Sequence, residues 1–122
     1  MPAGKRELAR IERRLIATLT DACETAKAEI RGFTWLTHTA DLNALAATLK
    51  LIWVFDTEAN KNLALTQAKA RIFELTATAL READIDLPAS ERNVCFDSEE
   101  ACQRTHGGNW RERLAQNTRG QR

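Results

Sequence analysis

The chain has 122 residues, of which 43% are hydrophobic and 29% are charged, and its formal net charge is +1 at pH 7. This length suits one domain, and the composition is that of a folded protein rather than a disordered one. No run of 18 apolar residues is present, so we expect no membrane-spanning helix. The first residues lack the apolar core of a secretory signal, so we expect none.

The three cysteines, an odd number without an export signal, predict reduced thiols and a cytoplasmic location. We expect a single α+β domain over residues 1–122, with frayed ends at about 1–5 and 116–122. No internal repeat or low-complexity segment divides the chain, and this also favours one domain.

The charge is distributed unevenly. Residues 1–14 and residues 111–122 each carry a local charge of +3, which leaves −5 for the middle of the chain. Two basic ends could contact a polyanion if the fold brings them together, whereas the simpler interpretation is that they keep a small domain soluble. The candidate phosphate-contacting residues are Arg6, Arg10, Arg13, Arg14, Arg111 and Arg113.

The first predicted element is a long amphipathic helix. Apolar residues recur at steps of three and four from Leu8 to Ile30, which is typical of one helix face. Gly32 follows at the position of a C′ glycine and is predicted to end the helix.

A strand is predicted next over residues 33–40, "FTWLTHTA", because β-branched and aromatic residues dominate it. Simple alternation places Phe33 and Trp35 on one side of this strand and His38 on the other.

The strongest strand signal is "LKLIWVFD", residues 49–56, which is apolar on both faces like a central strand covered on both sides. The short link before it favours an antiparallel pair with the first strand. Trp35 and Trp53 could then lie opposite each other in the core. A second helix over about 58–83 and a short strand over 93–96 follow.

The segment "CFDSEEACQRTHGGNW", residues 95–110, contains most of the unusual residues of the chain. Asp97 and Glu100 have the spacing of a capping box at a helix start. Gly107 and Gly108 would end that helix at about residues 105–106.

A short last helix is predicted after the two glycines. Asn109 and Glu112 repeat the capping spacing, and Trp110 with Leu114 would hold this helix on the body of the domain.

The element order is therefore α-β-β-α-β-α-α. The simplest fold is an α+β domain in which helices pack on a three-stranded, mainly antiparallel sheet. This order is similar in outline to that of type II KH domains and BolA-like proteins. The GxxG loop with which KH domains clamp nucleotides is absent, and this counts against KH-type RNA binding.

Cysteine and histidine side chains are the candidates for metal or thiol chemistry. Cys102 and His106 share one face of a helix, and Cys95 lies seven residues before Cys102. The spacing matches no zinc pattern, and the acidic neighbours Glu99 and Glu100 disfavour a thiolate. We expect structural cysteines and no cofactor, with a metal or thiol site at Cys95, Cys102 and His106 as the alternative.

A pair of carboxylates is a further candidate for chemistry. Asp56 and Asp97 each follow a phenylalanine at a strand end, so they could converge if both strands end at the same edge. An aspartate after a strand is more often the N-cap of the next helix, which is the interpretation we favour.

Three segments resemble a group of small proteobacterial proteins labelled "Fis family transcriptional regulator". They are "GFTWLTH" (32–38), "VFDT" (54–57) and "DSEEACQRTHGGNWRERL" (97–114), and the similarity covers nearly the whole chain. The label implies DNA binding by a C-terminal helix-turn-helix. This chain departs from that pattern, because two strands are predicted in its centre and the Fis helix pair is not visible. The resemblance implies a bacterial cytoplasmic protein, and no function is established for the group.

These observations leave three functional hypotheses. The first is a small non-enzymatic binding or adaptor protein, with another protein or a second copy as its partner, and with a free sheet edge that favours a homodimer. Its candidate binding residues are His38, His106, Asn109 and Trp110. The second is a nucleic-acid-binding protein or transcriptional regulator that uses the six arginines named above. The third is the metal or thiol site; no catalytic residue and no membrane association are expected.

Overall fold

A three-stranded sheet lies between two groups of helices in the computed structural model, which describes residues 4–120. The α+β class is therefore confirmed. The elements in chain order are α1 (Lys5–Glu29), β1 (Phe33–Thr39), a 3-10 turn (Leu42–Ala44), α2 (Leu45–Thr48), β2 (Lys50–Phe55), α3 (Glu58–Gln67), α4 (Lys69–Glu82), β3 (Val94–Ser98), α5 (Glu99–His106) and α6 (Trp110–Gly120).

The described residues contain no helix that is both long and apolar enough to cross a membrane. The fraying expected at about 1–5 and 116–122 stays a prediction. Of those residues, 1–3 and 121–122 lie outside the described range.

Strand β2 is the centre of the sheet, with β1 antiparallel on one side and β3 parallel on the other. The parallel neighbour is reached by a crossover through α3 and α4, which parallel pairing requires. Residues 51–55 are all buried, so the prediction of a strand covered on both faces is confirmed. Because β2 and β3 run the same way, both end at the same edge of the sheet.

A β-bulge divides the aromatic residues of β1 between the two faces. Phe33 lies opposite Phe55 but Trp35 lies opposite Val54, so one extra residue is inserted in β1 between these pairs. Phe33 therefore turns to the face that packs on α1 and α4, where its ring centroid is 5.0 Å from that of Trp53. Trp35 turns to the opposite face. The prediction that Trp35 and Trp53 face each other is wrong, and so is the prediction that Phe33 and Trp35 share a side.

Helices α1 and α4 close the first face of the sheet over the indole of Trp53, which is fully buried. The indole Nε1 donates a hydrogen bond of 3.2 Å to the hydroxyl of Thr76, which in turn donates to the carbonyl of Ile72 at 2.8 Å. The one polar atom of the largest core residue is thus satisfied inside the core. At the surface, outside the core, Arg71 of α4 binds both carboxylate oxygens of Glu29 of α1 at 2.8 Å.

The second predicted helix is two helices, because Ala68 leaves the helical conformation with φ −127° and ψ 8°. The two segments pack on different partners: α3 lies against β2 and β3, whereas α4 lies mainly against α1. A straight helix over residues 58–83 could not reach both, so the single-helix prediction is wrong.

Gly32 does not occupy the C′ position, since α1 ends at Glu29 with Ile30 as its C-cap. It lies in the turn before β1 with φ +82°, a conformation that favours glycine. A Cβ at this position would also come within 2.6 Å of Asn60 in α3. Glycine therefore permits both the turn and the close approach of α3.

We expect Thr76→Val to lower the free energy of unfolding by about 2 kcal/mol, because the valine keeps the shape but leaves the buried indole N–H without an acceptor. Urea denaturation measures the change. The matched control is Thr66→Val on α3, whose hydroxyl is exposed and bonds only to the carbonyl of Leu63. Equal losses in the two variants would contradict the role given to the buried hydrogen bond.

Candidate functional site

Helix α5 begins one residue later than predicted. Strand β3 continues to Ser98, and the Ser98 hydroxyl accepts a hydrogen bond of 3.0 Å from the N–H of Ala101. Ser98 is therefore the N-cap, and the prediction that Asp97 caps α5 is wrong. The end of α5 is as expected, because Gly107 adopts a left-handed conformation with φ +58° directly after His106.

The start of α6 is also confirmed. The Asn109 side chain accepts a hydrogen bond of 3.1 Å from the N–H of Glu112, which is the N-cap geometry expected from their spacing. Gly108 before it has φ +85°. The two glycines therefore reverse the chain between α5 and α6, and they place α6 over the second face of the sheet.

Asp97, which lies within β3 instead of at a helix start, binds Arg113 of α6. The guanidinium Nε and Nη2 donate to the two carboxylate oxygens at 2.7 and 2.9 Å, and the Asp97 and Arg113 side chains are only 9% and 17% exposed. The hydrogen bond to Asp97 raises the pKa of Arg113 above its ordinary value. Because its fork is engaged with a carboxylate, Arg113 is a structural residue that ties α6 to β3.

Trp110 closes the same face beside this ion pair. Its ring packs edge-on against Trp35 with 4.9 Å between the centroids, and its Nε1 donates to the carboxylate of Glu99. The prediction that Trp110 holds the last helix on the body is confirmed. The sequence does not predict that Trp110 packs on Trp35, because Trp35 reaches this face only through the bulge in β1.

His106 belongs to a polar network between α5 and α6. Its Nδ1 lies 2.6 Å from the Thr105 hydroxyl and 3.3 Å from Nη1 of Arg113, and its Nε2 lies 2.8 Å from Oε1 of Gln116. His38 lies elsewhere, on the α1 face, where its Nε2 is 3.5 Å from a carboxylate oxygen of Glu12. The structure therefore brings His106, Asn109 and Trp110 to one helix pair and leaves the His38 side chain on the other side of the sheet.

At the end of the sheet where β2 and β3 both terminate, several carboxylates have structural partners. Glu100 of α5 accepts a hydrogen bond of 2.8 Å from the N–H of Glu58, and the Glu58 carboxylate accepts one from the hydroxyl of Ser98. Each of these glutamates thus satisfies a donor at the start of the other's helix. The Ser98 bond, together with the one from Lys61, holds the pKa of Glu58 below its usual value.

Asp56 directly follows β2 and Asp97 lies in β3 one residue before its end, so both are at this end of the sheet, but each has its own partners. Asp56 accepts hydrogen bonds from the Asn60 side chain at 2.9 Å and from the N–H of Thr57 at 2.7 Å, and the Asn60 bond is the main reason that its pKa is lowered. Asp97 binds Arg113. The two carboxylates are therefore used separately, and neither is placed as one half of a catalytic pair.

Of the two cysteines considered for chemistry, only Cys102 is a core residue. The Cys102 side chain is 0% exposed, and burial raises the pKa of its thiol. Cys95 is half-buried, and burial raises its pKa as well. Within residues 4–120 no three His, Cys, Asp or Glu side chains come together as a possible set of metal ligands. The alternative site at Cys95, Cys102 and His106 gains no support from this placement.

The arginines proposed for phosphate contact do not form one face. Arg6 and Arg13 are exposed on α1, while Arg14 donates to the carbonyl of Glu82 at 3.0 Å and lies 3.2 Å from Asp84. Arg10 pairs with Glu7. Arg111 and Arg113 lie on α6, across the sheet from α1, so the two basic ends of the chain are not combined.

The outer edge of β1, which is one of the two edge strands of the sheet, is a further candidate surface. The N–H of Leu51 bonds to the carbonyl of Asn93 beside β3, at 2.7 Å. Leu51 and every second residue after it therefore point their backbone groups toward β3, so the backbone groups that bond to β1 belong to Lys50, Ile52 and Val54. Their partners in β1 include Trp35, Thr37 and Thr39. By the same alternation the N–H and C=O groups of Leu36 and His38 point away from the sheet. No other described residue forms a hydrogen bond with them.

Comparison with protein-family models, with curated proteins and with solved structures found no match for this chain. The similarity to KH and BolA-like topologies and the resemblance to proteins labelled as the Fis family therefore stay predictions.

We expect Arg113→Met to lower the free energy of unfolding by about 3 kcal/mol, because it leaves the Asp97 carboxylate nearly buried without its cation. Adding Asp97→Asn to this variant should recover much of the loss, since no unpaired charge then remains. Urea denaturation provides the values. Arg10→Met, which breaks an exposed pair, is the control and should change nothing measurable; an equally small effect of Arg113→Met would contradict the structural role of the buried pair.

In a Cys23→Ser, Cys95→Ser variant, we expect Cys102 to react with a thiol reagent at pH 8 no faster than the protein unfolds. The thiol is inaccessible, and its raised pKa leaves little thiolate. The same variant in concentrated urea shows the rate of the free thiol. Fast labelling of the folded variant, or zinc retained by untagged wild-type protein, would instead favour the metal or thiol alternative.

Proposed function

We propose that this chain is a small non-enzymatic binding or adaptor protein that takes up a polypeptide strand at the open edge of β1. The observation that carries the proposal is the pair of outward-pointing residues, Leu36 and His38, whose backbone donors and acceptors have no partner among residues 4–120. An unpaired row of this kind is a template for another strand. A bacterial cytoplasmic location is part of the proposal, supported by the resemblance and by three free cysteines.

The composition of β1 supports strand addition. Edge strands that avoid pairing usually carry lysine, proline or other charged residues, whereas "FTWLTHT" has none of these except His38. The bulge interrupts only the beginning of the strand and leaves residues 35–39 in regular pairing with β2. A partner strand therefore meets a regular edge that contains no lysine, arginine, aspartate, glutamate or proline.

The pair formed by Trp35 and Trp110 lies next to this edge and supplies side-chain contacts. Both rings are half-buried, so each keeps an accessible part beside β1. Tryptophan is enriched among the residues that dominate binding energy at protein interfaces. Asn109 and His106 lie on the same helix pair as Trp110. His38 contributes its backbone at the edge.

Nucleic-acid binding is the alternative function. It is supported by the exposed arginines of α1, which are Arg6, Arg10, Arg13 and Arg14, although Arg10 also pairs with Glu7 and Arg14 with Asp84. The C-terminal arginines lie on the other side of the sheet and cannot join them. A phosphate backbone contacted by these few cations would bind weakly, and its affinity would fall as salt is added, with a slope set by the number of contacts. A titration with salt distinguishes the two functions, since strand addition depends little on ionic strength.

We expect a photo-crosslinking residue in place of Thr39 to capture a polypeptide in living cells, and the same residue in place of Asn62 to capture none. Thr39 ends β1, whereas Asn62 is exposed on α3. A polypeptide that pairs with β1 comes within reach of the first position only. Mass spectrometry of the adduct identifies it; nucleic acid as the only adduct, or equal capture at both positions, would contradict the proposal.

Two substitutions of His38 show whether the backbone makes the contact. His38→Pro removes an N–H that takes no part in the pairing with β2, so the fold should persist while the crosslink is lost. His38→Ala removes the imidazole and keeps the N–H, so the crosslink should remain. Loss in both variants, with native circular dichroism, would mean that the side chain and not the edge is the binding group.

A further inference from the structure

We propose that the strand added to β1 is β1 of a second copy, so that two molecules form an antiparallel homodimer with one continuous sheet. This inference rests on the proposed function and names its partner. It is carried by two observations that are independent of each other: the register that the free backbone groups allow, and an exposed isoleucine on the helix beneath the edge.

The free groups of β1 complement themselves in one register. When a two-fold axis passes through Thr37, Leu36 of one copy lies opposite His38 of the other, and each outward N–H meets an outward C=O. This register uses only residues 35–39, which are free of the bulge. Registers centred one residue away would require Thr34 at the bulge or Ala40 beyond the end of the strand.

The side chains that meet in this register are compatible. Thr37 lies opposite Thr37, and Trp35 lies opposite Thr39, so the face that carries Trp110 brings no like charges together. On the α1 face, the His38 imidazole remains next to Glu12, at 3.5 Å. Self-association is thus opposed by no unpaired charge at the edge.

Ile16 supplies the second observation, because it is the most exposed of the large apolar residues described, at 49%. After the turn at Gly32, strand β1 runs back along helix α1, and the contact between Glu12 and His38 marks the point where the two pass each other. Ile16 is one turn further along, a distance of about 6 Å, which corresponds to roughly two residues of strand. It therefore lies beside the centre of β1.

Ile16 also faces the correct side. Helix α4 packs on the opposite flank of α1, where Arg14 contacts Glu82 and Asp84. Glu12 and Ile16 are four residues apart and share the flank that faces the open edge. A second copy covers the backbone groups of β1 and brings its own Ile16 against this one; a lone peptide strand would cover only the backbone groups.

Sedimentation velocity of the full chain over a range of concentrations tests the dimer. We expect wild-type protein to dimerise and Ile16→Glu to weaken the dimer by at least about tenfold, because two carboxylates would meet at the axis. Leu63→Glu is the matched control, since Leu63 is 40% exposed on α3, which packs on β2 and β3 rather than on β1. Wild-type protein that stays monomeric up to about 1 mM, or equal effects of the two substitutions, overturns the inference.

A cysteine pair tests the register. In Thr37→Cys the two new side chains would lie opposite each other with Cβ atoms about 5 Å apart, so mild oxidation should give a disulfide-linked dimer. Thr66→Cys, exposed on α3 with the same native cysteines, should not crosslink. A dimer in solution in which Thr37→Cys forms no disulfide overturns this register. If the crosslinker at residue 39 captures only a different protein and the wild type is monomeric, the homodimer fails while the proposed function stands.

Discussion

The burial of β2 on both faces is the constraint on which the rest of the structure depends. A strand with Leu51, Trp53 and Phe55 on one side and Ile52 and Val54 on the other needs a helical layer above and below. The long helix α1 and helix α4 close the first side with apolar contacts. The second side is closed by short elements, so it relies on particular pairs: Trp110 on Trp35, and Arg113 on Asp97. Residues that the sequence suggests for catalysis or metal binding are among those that complete this second layer.

Helix α1, strands β1 and β2 and the glycine stop after α5 could be predicted, because each depends on periodicity or on a local backbone requirement. The N-cap of α5 could not. Asp97 and Ser98 are adjacent candidates, and the choice depends on Arg113, sixteen residues away, which draws Asp97 into the strand. The bulge at Thr34 is equally invisible to an alternation pattern, since the register is set by β2.

The candidate site could be predicted only in part. His106, Asn109 and Trp110 are close in sequence and stay close in the structure. His38 was grouped with them on its chemistry alone, yet the sheet separates its side chain from theirs because α1 and α6 pack on opposite faces. The free edge of the sheet was expected from the small number of strands. That β1 is an edge strand with regular pairing over residues 35–39, and which of its residues point outward, could be known only from the pairing with β2.

The late position of α5 and α6 in the chain has a consequence during synthesis. Residues up to β3 can emerge from the ribosome and pack on α1 and α4, but Ile52, Val54 and Trp35 have no cover until the last two helices have been made. A nascent chain at that stage shows both an apolar sheet face and the open edge of β1, the combination that promotes misassembly between growing chains. The domain can therefore bury its second face only after Arg113 has been made and can bind Asp97.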